Sequence, residues 1–585
     1  MGTKSIIIPR PEHPNPQWKR DSFINLNGEW QFEIDNERSG EDRGLWKAES
    51  LSGKITVPFC PESSLSGVGN TDFMLCVWYK RSVSFSEADL LGNRVILHFG
   101  AADFETKLWV NGKRIGQSHV GGYCSFEYDI TEALNVGDNV ITVCCYDDTR
   151  AWRQPSGKQS RKYYSHGCYY TRTTGIWQTV WCEIVPTSYV KYAKIIPDIA
   201  SSTVSISAEL VGCGDLEAKV YYEGRLVGEA KKSNLSVIGN LEIALSEAHP
   251  WELGTGRLYD VTITFGEDKV NTYFGLRKVE LRDGKLCIND KPVFMRLVLD
   301  QGFYPDGIYT APTEEALIKD IECGLMAGFN GARLHEKVFE PLYLYHADRL
   351  GYMVWGEYAN WGLDNSNIAH LATFLPDWLA SVRRDFNHPA LIGWCPFNET
   401  WDDGPFCSRQ NNELLRIVYE QTKLADPTRP CIDTSGNFHV VTDIYDVHDY
   451  EQNPEIFKEH YDALATENTL YDKVNLTNRT KQNWHGEPVF MSEYGGIGFQ
   501  LEDADKERKS NWSYGKATHS YEEFYARYKG LTDALLDNPK MIGFCYTQLT
   551  DVEQEVNGLF DYNTREPKYD MSIISEINKR KAAIE

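Results

Sequence analysis

Two stretches of this sequence end in side chains that could carry out acid–base and nucleophilic work. The first is Leu391–Trp401, LIGWCPFNETW, in which Leu391, Ile392, Trp394 and Phe397 run without polar alternation and then give way to Asn398 and Glu399. An apolar run of that kind is expected of a parallel strand covered on both faces, with the amide and the carboxylate at its carboxyl end. The second has the same design: Val489-Phe490-Met491 leads into Ser492-Glu493-Tyr494-Gly495-Gly496. In a (β/α)8 barrel the carboxyl ends of the strands are where side chains meet substrate. Two strands would therefore deliver one glutamate each to a single rim. Paired carboxylates across a cleft are what retaining glycoside hydrolysis requires, one to protonate the leaving oxygen and one to attack the anomeric carbon.

The elements able to position these groups lie between about residue 278 and residue 585, where apolar strands alternate with helical stretches, the signature of βα repeats. Eight strands are expected: 293–299, 331–334, 353–357, 391–397, 431–434, 444–447, 489–492 and 542–547. Thr313 followed by Glu314 and Glu315 is suited to a helix N-terminus. The two glutamates then follow strands four and seven. Other strand ends also carry polar groups: Asp300 and Gln301, Arg333 and His335, Glu357, then His448, Asp449 and Tyr450, and finally Gln548, Asp551 and Glu553. Their recurrence on one rim favours a hydroxyl-rich ligand, which needs several placed donors and acceptors.

Upstream, short strands and turn signals imply β-sandwiches. Residues 1–187 include a hairpin with Asn111-Gly112 at its turn, a pair that supplies the positive φ angles of a type I′ loop. In residues 188–277, Val204–Leu210, Ala218–Tyr222 and Tyr259–Phe265 read as strands of an immunoglobulin-like sandwich, with turns expected at Gly212, Gly214, Gly224 and Gly239-Asn240. The expected fold class is multidomain β plus α/β: a jelly-roll sandwich, an immunoglobulin-like sandwich and a TIM barrel.

The dipeptide Asn398-Glu399, the SEYGG at 492–496 and their spacing resemble glycoside hydrolase family 2, the family of β-galactosidases, β-glucuronidases and β-mannosidases. FINLNGEWQF, LWVNGKRIG and TTGIWQTVW extend the resemblance to the first domain. The resemblance implies that Glu399 is the acid/base, Glu493 the nucleophile and Asn398 a ligand of the sugar 2-hydroxyl. It also implies that the first domain mainly buttresses the barrel, with a loop carrying Tyr169, Tyr170 and Arg172 as a candidate wall of the pocket or simply a domain contact. The remaining substrate-binding candidates are Asp300, Arg333, His335, Glu357, His448, Tyr450, Gln548 and Asp551. Arg333 could orient the nucleophile or form a structural ion pair. His335 and His448 suit sugar hydrogen bonds better than a metal, because their spacing matches no familiar zinc pattern. Glu357 could bind a hydroxyl or anchor the rim. Glu399 must be protonated to act as an acid, which burial beside Trp394 or Trp401 would favour.

The chain departs from the family in one place. The pattern R-x-S-H-Y-P after strand two is replaced by Arg333-Leu334-His335-Glu336-Lys337-Val338, so Glu336 stands where histidine is usual. Family glucuronidases also carry N-x-K shortly before the segment that here reads Gly558-Leu559-Phe560; this chain has Glu553-Gln554-Glu555-Val556-Asn557. Carboxylates there would repel a uronate, whereas Lys337 or Arg296 turned inward would pair with one. The reading is an exo-β-glycosidase, β-galactosidase-like in preference to a β-glucuronidase or β-galacturonidase. The alternative of another class is a catalytically degenerate carbohydrate-binding protein. No cofactor and no metal are expected, since a magnesium ligand set known in some relatives has no full match here.

The net charge of −24 over 585 residues argues against nucleic acid and anionic membrane surfaces as partners. The 14 cysteines form no CxxC pair and read as reduced core residues. The apolar run Ile6-Ile7-Ile8 before Pro9 is too short for a signal-peptide core, which points to a cytoplasmic protein. A homo-oligomer is expected from the resemblance alone.

Overall fold

A computed structural model describes residues 8–401, 409–436, 438–471, 482–500 and 511–585. The stretch before residue 8, on which the reading of the N-terminus rests, and Cys407 lie outside the described residues. The described cysteines are free, and all but Cys168 and Cys213 are buried.

The first unit is a two-layer sandwich. A six-stranded sheet runs in the order Gly53–Val57, Gly28–Ile34, Cys76–Phe85, Gly137–Tyr146, Glu105–Val110, Lys113–Val120, and it faces a four-stranded sheet that contains Asn93–Phe99 and Val180–Pro186. Trp30, Tyr79, Leu97, Phe99, Val143 and Cys182 meet in the core between them. At the hairpin, Asn111 and Gly112 take φ of 51° and 75°, as the type I′ turn requires.

The second unit differs from the sequence reading in its turns. Val204–Leu210 and Ala218–Tyr222 belong to one strand, Thr203–Tyr222, and Gly212 and Gly214 lie inside it. Its first half pairs with Tyr189–Asp198 and its second half with Tyr259–Phe265. The glycines therefore mark an irregular bend, with a register shift between Glu209 and Cys213, that lets one strand serve both faces of the sandwich. Gly239 and Asn240 likewise lie within the strand Arg225–Ala244. Glu223-Gly224, both at positive φ, form the turn that joins these two long strands.

The third unit is the barrel. Seven parallel strands form one sheet in the order Leu391–Cys395, Met353–Glu357, Gly331–Leu334, Met295–Asp300, Met541–Thr547, Val489–Gly495, Tyr445–Asp449. The expected strand five shrinks to Thr434–Ser435, which pairs with Phe397–Asn398 beyond the end of strand four. Side chains take over where that ladder fails. Asp433 accepts from the backbone of Val440 and Val441 and from His439, whose other ring nitrogen lies 3.2 Å from the carboxylate of Asp446 on strand six. The first helix begins at Glu314 with Thr313 as its cap, accepting from the Ala316 amide.

Candidate active site

Strand two delivers Arg333 into the barrel mouth, where the guanidinium is buried and serves five groups, His448 Nε2 at 3.4 Å among them. It pairs with Glu357 from strand three and donates to Glu493 Oε1 at 2.8 Å, to Asn398 Oδ1 at 2.8 Å and to the Ser492 carbonyl at 3.1 Å. Glu357 is fully engaged, since Oε2 also takes His335 Nδ1 at 2.9 Å and the Glu336 amide at 3.1 Å. These contacts tie strand three to strand two at the rim. Asn398 uses its oxygen on Arg333, which leaves Nδ2 buried and without a protein partner.

Glu493 and Glu399 stand in different surroundings. The Glu493 carboxylate is buried and receives the Tyr450 hydroxyl on Oε2 at 2.5 Å as well as Arg333 on Oε1. Burial alone would push its pKa up, but the charges of His448, Arg333 and Lys158 outweigh that and hold it below the usual carboxylate range. Glu399 sits at φ 49°, a left-handed conformation that costs a non-glycine residue on the order of 1–2 kcal/mol. Its side chain is 24% exposed against 5% for Glu493, so solvent reaches Glu399 more readily. Between the two lies His448, with Nδ1 2.9 Å from Glu399 Oε1 and 3.5 Å from Glu493 Oε2. One ligand atom from each of these three residues falls within 4.8 Å of the others. A metal could be held by such a trio, but His448 already spends Nδ1 on Glu399, and its Nε2 is 3.0 Å from Ser435 Oγ.

Several of the side chains singled out from the sequence are engaged within the protein. His448 bridges the two carboxylates with both nitrogens in use. Asp300 turns to the Gly302 amide and the Tyr343 hydroxyl, and burial beside Asp320 raises its pKa to about 7. Asp551 is paired with Lys568 at 2.7 Å and takes the Gly558 amide, which makes it a loop anchor. Trp394 turns outward to Asp426 and packs on Trp378, so it gives Glu399 no apolar cover. Lys337 is buried on the Gly302 and Tyr309 carbonyls, and Arg296 is tied to Glu585 and the Asn578 carbonyl, so neither supplies a free cation. Arg172 is bound to the Ser160, Lys162 and Thr71 carbonyls of its own domain.

The other candidates stay at the rim. His335 is left neutral, because burial and the nearby Lys158 and Arg333 lower its pKa well below the usual value. Its Nε2 is 4.0 Å from Glu493. Gln548 accepts from Gln301 at 2.8 Å and keeps Nε2 buried without a partner. The sandwich loop does reach the barrel: Tyr170 donates to Glu555 at 2.5 Å, and Tyr169 packs against Trp361.

Sequence reasoning missed Asn360, Trp361 and Lys158. Asn360 accepts from the Asn398 amide at 2.7 Å and donates to its carbonyl, so it fixes the segment that carries Glu399. The polar step Tyr358-Ala359-Asn360-Trp361 right after strand three could have signalled it. No local pattern marks Lys158, which comes from the sandwich.

Comparison with known proteins fits this geometry. Residues 69–180 match the family described as glycosyl hydrolases family 2, sugar binding domain, and residues 279–500 match glycosyl hydrolases family 2, TIM barrel domain. A β-galactosidase of Leuconostoc mesenteroides is 25% identical over 465 residues, covering 69% of this chain and 42% of the relative. A β-glucuronidase of Sus scrofa is 23% identical over 537 residues, covering 81% and 78%. The chain spans less than half the length of the curated β-galactosidases it matches. A solved β-glucuronidase from an uncultured Clostridium sp. superposes with a TM-score of 0.78 at 19% identity, over 96% of this chain and 99% of that one, a likeness of fold.

Proposed function

The chain belongs to glycoside hydrolase family 2, and on that footing we propose that it is a retaining exo-β-glycosidase with Glu493 as nucleophile and Glu399 as acid/base. The observation that carries the reading is the asymmetry of the carboxylate pair. Their oxygens approach within 4.8 Å, close to the ~5–5.5 Å separation of retaining enzymes and short of the ~6.5–9.5 Å that inversion needs. Glu493 is held ionised and aimed by Arg333 and Tyr450, as a nucleophile must be. Glu399 shares a hydrogen bond with His448, whose pKa is raised despite burial by Glu493 and Glu399. The proton held between His448 and Glu399 is the one delivered to the leaving oxygen as the glycosyl–Glu493 ester forms. Glu399 then takes a proton from water as the ester is hydrolysed. Asn398 Nδ2 is free to hold the sugar 2-hydroxyl.

The glycone in this proposal is a neutral hexose, galactose first. With Lys337 and Arg296 engaged elsewhere, neither of the cations that spoke for a uronate is free to meet one. The chain acts in the cytoplasm and as a homo-oligomer; none of its described helices is long and apolar enough to cross a membrane. Proton NMR of the first-formed sugar tests the mechanism: the product should appear as the β anomer, and an initial α anomer would mean direct attack by water. A panel of nitrophenyl glycosides, including β-galactoside, β-glucoside, β-glucuronide, β-galacturonide and α-L-arabinoside, tests the glycone, with kcat/KM expected to be highest for a neutral sugar.

A further inference from the structure

Between Tyr146 and Gly175 the sandwich sends a long connection onto the barrel rim, and at Ser156 and Gly157 the two meet through backbone hydrogen bonds. The Ser156 and Gly157 amides donate to the Trp361 carbonyl at 2.7 and 2.9 Å. Gly157 sits at φ 53°, and a Cβ on it would fall 2.4 Å from the Glu336 carbonyl, so only glycine allows the two chains to come so close. The next residue, Lys158, is thereby set beside the end of strand two. It is 5% exposed, and its Nζ lies 3.8 Å from the centroid of the Trp361 ring.

Lys158 has no carboxylate within ion-pair distance among the described residues, although the charge that most offsets burial at Glu336 is its own. Trp361 joins the two. Its amide donates to Glu336 Oε2 at 3.1 Å, and its indole donates to the Asn398 carbonyl at 3.1 Å, next to Glu399. Glu336 Oε1 is buried without a partner. A buried ammonium and a buried carboxyl that both contact Trp361, each with unused hydrogen-bonding capacity, carry a desolvation cost that a ligand between them would offset.

We propose that Lys158 and Glu336 are the two jaws of a specificity site that reads adjacent hydroxyls of a neutral glycone, one jaw from each domain. Lys158 donates to one hydroxyl oxygen, and Glu336 accepts from its neighbour. An anionic group is a poor occupant, because it would meet the Glu336 carboxyl as well as Lys158, and Glu336 can only accept from a hydroxyl donor or repel a second carboxylate. The departure from the family pattern at Glu336 and the arrival of Lys158 are then two halves of one device.

The inference rests on the proposed glycosidase activity, and the experiment separates the two. On the best nitrophenyl glycoside of the panel and its singly deoxygenated analogues, Lys158→Met and Lys158→Gln should each lose about 10- to 100-fold in kcat/KM on the parent sugar, the range for a hydrogen bond to a charged group. They should lose nothing further on the one analogue that lacks the hydroxyl Lys158 reads. Glu336→Gln should show the same pattern at the adjacent position, with melting curves confirming that the variants fold. Turnover with no deoxy-sugar penalty relieved by either substitution would overturn the inference alone. A uronide as best substrate, its turnover abolished by Lys158→Met, would assign Lys158 to a carboxylate and overturn it too. No turnover of any glycoside would overturn both readings.

Discussion

At the scale of single residues, the site works by dividing two chemically identical side chains. Glu493 is buried among cations and donors, while Glu399 stands on a left-handed turn within reach of solvent and of His448. Glu493→Ala should therefore abolish turnover, by on the order of 10³-fold or more, because covalent catalysis does not survive loss of its nucleophile. Folding should persist, since the substitution removes a carboxylate from the barrel mouth and leaves the apolar core untouched. The check is kcat on an aryl β-glycoside alongside a melting curve; turnover within about tenfold of the parent would refute the assignment.

Among the elements, the weak point of the barrel is strand five, only two residues long, and a side-chain clasp replaces its missing ladder. His439 lies between Asp433 and Asp446; burial would lower its pKa, but the hydrogen bond and charge of Asp433 and the charge of Asp446 raise it to about 9. A histidine raised above its unfolded value near 6.5 contributes stability that is fully present below that pH and is lost as pH rises through about 9. The contribution is roughly 3 kcal/mol at about 1.36 kcal/mol per unit. Unfolding of parent and His439→Gln by urea should thus differ most near pH 6, and the gap should narrow toward pH 10. A gap that does not change with pH would mean that His439 is neutral in the clasp.

Across the whole molecule, the pocket is a joint product of two domains. Tyr170 reaches Glu555, and the Gly157 backbone lies against Glu336. Gly157→Ala should lower kcat/KM at least tenfold while the isolated folding of each domain continues, because the added methyl must push the loop off the rim at a position already at positive φ. Steady-state kinetics together with near-UV circular dichroism measures both effects. Full activity would show that the loop is slack enough to be irrelevant to the pocket.

The sequence by itself determined the barrel strands and the strand ends that carry Glu399 and Glu493, because these are local: a doubly covered strand must be apolar throughout, and the polar residue that breaks the run must sit at its end. It also located the Asn111-Gly112 turn and the Thr313 cap, whose chemistry spans only a few residues. Tertiary structure alone decided the rest. Gly212 and Gly214 carry the same local signal whether the chain turns or bends, and the partners of the strand, Tyr189–Asp198 and Tyr259–Phe265, settle it. Asp300, Asp551 and His448 looked like Asn398 on the page; what separates them is that Tyr343, Lys568 or the second carboxylate already engages them, while Asn398 keeps Nδ2 without a protein partner. Lys158 lies far from every barrel strand in the chain, and only the packing of the sandwich against the barrel brings its charge beside Glu336, since no spacing along a sequence encodes a contact between two separately folded surfaces.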